Sequence, residues 1–193
     1  MRQLHQKRTN IVQELIWTEQ TYVETLRMIT DVYIKPLRAT IEINKPIVSD
    51  LQMKMLFPEI AAILNVNTAL LADLEERFGA WSRTSLIGDI FLRMTESMRI
   101  YIGLVNNYNT AIETINKVQN EVAAFRSFLA ECSKRPETRS IGLTEHLLTP
   151  IQRIPRYVMI LDSTHMENIF SLNSSLLLPV RPAQEHGQRA RRL

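Results

Sequence analysis

One cysteine, Cys132, stands in 193 residues, so no intramolecular disulfide can form. No CxxC pair and no Cys/His cluster offers zinc-ligand spacing, and the four histidines are scattered. No GxGxxG, GxxxxGK[ST], GxSxG or HExxH motif is present, which removes the common nucleotide-binding, hydrolase and metalloprotease signatures. No cofactor is expected. No apolar run approaches the ~18 residues that a membrane span needs. The opening "MRQLHQKRTN" has no apolar stretch after its basic residues and so does not read as a secretory signal. A net charge of +3, much of it near the C-terminus, gives no basic patch interleaved with aromatics, so no nucleic-acid partner is expected. Five glycines and eight prolines are too few for a linker-like chain. A soluble, cytoplasmic protein is expected, with membrane contact at most weak through the basic tail "RARRL".

What the chain does have is helical periodicity. Residues 9–37 repeat Ile11, Leu15, Tyr22, Leu26, Ile29 and Tyr33 at three- and four-residue steps, and Pro36 marks the expected end. The next segment opens with Ser49 or Asp50 as N-cap, allows Pro58 in the first turn of a new helix, and stops at Gly79. Its apolar face, from Ile60 to Phe78, is interrupted only by Asn67. A third segment, residues 85–119, reads as one helix carrying Leu86, Ile90, Phe91, Met94 and Tyr101. A shorter fourth carries Val122, Phe125, Phe128 and Leu129; "RPETRS" reads as a loop; the fifth contains "TPIQRIPRYVMIL", residues 149–161. No stretch alternates with period two, so an elongated all-α bundle is expected. After Leu161 the periodicity fails, and residues 162–193 are expected to be disordered.

Two positions resist this simple pattern. At 100° per residue Glu19 falls about 40° from Leu15, inside the arc defined by Tyr22, Leu26, Val12 and Ile16. A carboxylate there costs several kcal/mol if buried unpaired. Two readings fit: an internal salt bridge to Arg153 or Arg156, or a stripe open to a partner that Glu19 meets. In the last segment Thr149, Gln152, Arg153 and Arg156 share one helical face, and Ile151, Ile154, Val158 and Leu161 another. Pro155 removes a backbone donor mid-helix, at about 3 kcal/mol unless neighbours compensate. This segment reads either as a kinked core helix with solvated arginines or as a polar face held for a protein.

"RTNIVQELIWTEQTYVETLRMITDVYIKPL" resembles the first conserved region of the Dbl homology domain of Rho-family guanine nucleotide exchange factors. "LTEHLLTPIQRIPRYVMIL" is similar to the third, and "LFPEIAAILNVNTALLADL" to the second; together the resemblance covers residues 5–161. It implies a Dbl-type bundle that binds a Rho-family small GTPase (Rho, Rac or Cdc42 type) and promotes GDP release without covalent chemistry. Glu19, with Thr18 and Tyr22, matches the motif whose glutamate contacts the GTPase's first switch. On this reading the stripe around Glu19 packs on a partner, and Glu19→Ala abolishes exchange with little loss of fold. Glu145, Thr149, Gln152 and Arg153 match the rest of the GTPase-binding surface; many members carry lysine where Thr149 stands. After Leu161 the family's long last helix is not matched, and no pleckstrin homology pattern follows. The domain is therefore expected to be incomplete at its C-terminus and its exchange activity impaired, with a non-catalytic GTPase- or protein-binding module as the alternative.

Overall fold

The computed structural model describes residues 2–82 and 84–162. Among them the regular structure is entirely helical. The N-terminal helix α1 (Arg2–Met28) passes through a π-helical stretch, Ile29–Ile34, into α2 (Lys35–Glu42). The expected stop at Pro36 is therefore displaced. In the widened turn the Lys35 N–H reaches the Thr30 carbonyl, five residues back, and Pro36 falls in the first turn of α2, where a missing donor is tolerated. Helix α3 (Asp50–Leu56) starts at Ser49, whose hydroxyl accepts from the Gln52 N–H while the Gln52 side chain accepts from the Ser49 N–H. Helix α4 spans Ile60–Gly79. It begins after Glu59 in a left-handed conformation (φ 60°), so Pro58 lies in the preceding turn rather than inside the helix.

The third segment is not continuous. It divides into α5 (Gly88–Met94), a 3-10 turn at Ser97–Arg99, and α6 (Ile100–Glu121). Thr95 and Ser97, weak helix formers, sit at the break, and the Thr95 hydroxyl turns back to the Phe91 carbonyl. The buried positions there are Ile87, Ile90 and Met94, whereas Leu86 is exposed. Helix α7 (Ala123–Cys132) follows an extended Val122. The "RPETRS" loop holds a 3-10 turn at Pro136–Thr138, then Arg139 and Ser140 at positive φ. The buried Thr138 hydroxyl is within reach of the carbonyls of Arg135 and Cys132.

Helix α8 (Leu143–Asp162) runs through both Pro150 and Pro155. Pro155 is exposed, so water can serve the carbonyl it leaves without a donor. The inward face of α8 is Leu143, His146, Leu147, Pro150, Arg153, Tyr157 and Ile160. Of the face expected to be apolar and packed, Val158 is exposed and Ile151, Ile154 and Leu161 are only half-buried. α1 packs on α4 and α8, and α6 on α3, α7 and α8. The core follows α1 in two clusters, one around Tyr22, Leu26, Tyr33 and Leu56 and one around Val12, Leu15, Leu70 and Tyr157. The segment expected to be disordered lies, from residue 163 on, outside the described residues.

Candidate functional site

Where α1 crosses α8 the core is polar. Glu19 is completely buried and Arg153 is 3 % exposed. Glu19 Oε2 accepts from Arg153 Nη2, from Arg153 Nε at 3.1 Å and from the Tyr157 hydroxyl at 2.7 Å. The Tyr157 hydroxyl also lies 2.9 Å from Asn67 Oδ1, so its single proton serves two acceptors in turn. Asn67 Nδ2 donates to the Ile63 carbonyl at 2.8 Å and to the Tyr101 hydroxyl at 2.7 Å, and Tyr101 pairs with Tyr22 at 2.9 Å. The Arg153 guanidinium lies between two rings, 4.5 Å from the centre of Tyr157 and 5.2 Å from that of Tyr22. Helices α1, α4, α6 and α8 thus each contribute to one buried network. Glu19 Oε1 has no hydrogen-bond partner in it. Burial pushes the Glu19 carboxyl above its ordinary value, against the opposing pull of Arg153 and Tyr157.

Of the two readings of Glu19, the chain by itself shows the internal salt bridge to Arg153. The stripe is core, and the carboxylate is neutralised by Arg153 of the same chain. The expectation of an open stripe is corrected: the helical angle is right, and in the chain by itself Arg153, 134 residues away, pairs with the carboxylate. The reading of solvated arginines is corrected for Arg153 and holds for Arg156, which is exposed.

An open groove of about 190 Å³ nevertheless lies directly above the pair, between α1 and α8. Thr18, Tyr22, Thr149, Gln152 and Arg153 all line it, so five of the seven expected site residues converge there. Thr18 and Tyr22 form its buried floor, Thr149 is half-buried and Gln152 exposed. Glu145 does not line it; exposed near the start of α8, it accepts from the Thr144 hydroxyl at 2.8 Å. The groove residues sequence reasoning missed are Trp17, Thr21 and Thr25, while Arg156 lies on the polar face that it singled out. Trp17, 66 % exposed, was legible: it stands about 200° from Leu15, where an aromatic has no core to enter. A second cleft, of about 720 Å³, continues from Thr21, Thr25 and Thr149 toward Arg135, Glu137 and Arg139. Among the described residues no group of three His, Cys, Asp or Glu can hold a metal ion. The groove presents hydroxyls, an amide, an indole and two guanidinium groups, a set suited to binding a surface.

A family model described as "RhoGEF domain" matches residues 11–168. The chain is 36 % identical over 157 residues to "Guanine exchange factor for Rac 30" of Dictyostelium discoideum, covering 81 % of this chain and 9 % of that protein. It is 31 % identical over 156 residues to human "Protein ECT2", covering 80 % of this chain and 17 % of that protein. The chain therefore spans a small part of the length of these relatives. A solved structure of the Vav1 exchange factor with its PH and C1 domains superposes with a TM-score of 0.75 at 23 % identity, over 83 % of this chain and 42 % of that one. The DH/PH domains of PDZ-RhoGEF in complex with GTP-γ-S-activated RhoA superpose with a TM-score of 0.72 at 18 % identity, over 85 % and 46 %. These likenesses carry the fold: the helical bundle is of the Dbl homology type.

Proposed function

The chain belongs to the RhoGEF domain family, and from that membership we propose that it binds a Rho-family small GTPase and promotes release of its GDP. The observation that carries this reading is the groove between α1 and α8, on which Thr18, Tyr22, Thr149, Gln152 and Arg153 converge. The RhoA-bound relative of the same fold supports a GTPase as the occupant. In this reading Thr149, Gln152 and the edge of Arg153 meet the GTPase, Thr18 and Tyr22 shape the floor, and Glu145 contributes at most from the flank. Glu19 acts through Arg153 as a positioning residue.

The mechanism is one of linkage. A surface that holds the nucleotide-free GTPase more tightly than the GDP-bound form weakens GDP binding by the same factor, because coupling between two ligands on one protein is reciprocal. A thousandfold preference for the empty form corresponds to about 4 kcal/mol. No bond is made or broken, and no general acid, base or nucleophile is required. A weak attraction of the basic tail to anionic lipid is a separate reading, tested by sedimentation with phosphatidylserine vesicles.

The experiment is release of fluorescent GDP from Rho-, Rac- and Cdc42-type GTPases, with capture of the nucleotide-free forms on the immobilised chain. Accelerated release from at least one GTPase is expected. Capture without acceleration would establish a non-catalytic binding module; neither capture nor acceleration across the panel would overturn the reading.

A further inference from the structure

Two groove residues lie outside both the buried network and the positions that the family resemblance assigns. Trp17 is 66 % exposed on α1, and Arg156 is exposed on α8. Both line the groove above the Glu19–Arg153 pair. A single exposed apolar residue elsewhere would need no explanation. Here it shares a concave surface with an arginine, and tryptophan and arginine are among the side chains most enriched where binding energy concentrates.

Charge settles what Arg156 offers. Among the described residues, two charged side chains line the groove, Arg153 and Arg156. Arg153 is already paired with Glu19, whereas Arg156 makes no ion pair among the described residues. The groove therefore carries one uncompensated positive charge beside one bare indole. At about 190 Å³ it is smaller than the roughly 300 Å³ at which small-molecule pockets begin. It can take a side chain from another protein's surface.

We infer that Trp17 and Arg156 form a two-part clamp that selects among GTPases, engaging a partner surface that presents an apolar side chain next to a carboxylate. The inference rests on the proposed function and names its selectivity determinants. Trp17 supplies contact area at low entropic cost; Arg156 supplies a charge that rejects a partner placing a cation opposite it. Neither side chain is in the core, so each can be removed without opening a cavity.

The test compares the full 193-residue chain with Trp17→Ala, Arg156→Ala and Arg156→Glu, measuring exchange across the GTPase panel, affinity for the nucleotide-free forms and thermal melting. All three variants are expected to melt as the wild type does. Trp17→Ala is expected to weaken binding of the preferred GTPase about tenfold or more. Arg156→Glu is expected to cost more than Arg156→Ala, the arginine effect shrinking as salt rises, and to change the rank order of the panel. Wild-type exchange with both Trp17→Ala and Arg156→Glu equally active and equally selective would overturn the clamp while leaving the proposed function standing. A wild type that neither captures nor accelerates any GTPase would overturn both.

Discussion

Glu19→Ala is the most informative substitution, because the structure reverses the effect expected from sequence. Removing the carboxylate leaves the Arg153 guanidinium 3 % exposed between Tyr22 and Tyr157 with no anion beside it. Breaking a buried ion pair from one side costs about 3–5 kcal/mol. Domains hold only about 5–15 kcal/mol in total. For a chain of this size each kcal/mol moves the midpoint by about 2–4 °C, so Glu19→Ala is expected to melt about 6–20 °C below the wild type. Glu19→Gln keeps an oxygen for Arg153 and Tyr157 and loses only the charge, so it should fall between the two. The double variant Glu19→Leu/Arg153→Met removes both charges and should recover much of the loss, since apolar replacements of buried pairs are often neutral or stabilising. Far-ultraviolet circular dichroism during heating reads these proteins, and the single variants Glu19→Leu and Arg153→Met complete the double-mutant cycle that isolates the pair. Exchange must then be assayed below the onset of melting, or lost fold will pass for lost catalysis. If Glu19→Ala melts within about 2 °C of the wild type and the cycle is additive, the pair does not form in solution. The carboxylate would then be free for a partner after all.

Ser49→Ala removes one half of the capping box at α3 and should cost about 1 kcal/mol, a midpoint shift of about 2–4 °C on the same melting curve. His146 is buried with Nε2 3.2 Å from the Thr138 carbonyl. Burial holds its imidazole below the usual value, outweighing the opposite influence of the Thr138 carbonyl and Glu145. The fold therefore favours the neutral ring: its contribution is complete above the unfolded value of about 6.5 and is lost as pH falls through the lower folded value. Between pH ~7.5 and ~5.5 the wild type should lose more thermal stability than His146→Gln, and equal losses would dismiss His146 as the cause.

The helices were legible wherever the signal was local. Ser49 and Gly79 mark real ends because a cap and a helix-weakening glycine act within one turn. Pro36 misled because the chain spent a π-helical turn to pass it, and the i→i+5 geometry has no marker in composition. The break between α5 and α6 was missed for a related reason: the apolar residues on both sides keep one period, and only the weak formers Thr95 and Ser97 hint at a gap.

Glu19 shows the limit of a helical wheel more sharply. The wheel fixes where a side chain lies on its own helix; it says nothing of what stands opposite. A carboxylate inside an apolar stripe is compatible with an external partner and with an internal cation, and the two differ only in a residue far away in sequence. The deciding information was nevertheless present in α8. Arg153 and Tyr157 are one turn apart and fall on the same arc as Leu143, Leu147 and Pro150, so a cation and a phenol share the buried side. Asn67 interrupts the α4 stripe, and Tyr101 lies on α6 with a hydroxyl to satisfy. Unsatisfied polar groups on several buried stripes are costly separately and compatible together. Taken jointly, those anomalies point to one internal network, and the partner surface must then be sought in the exposed residues above it.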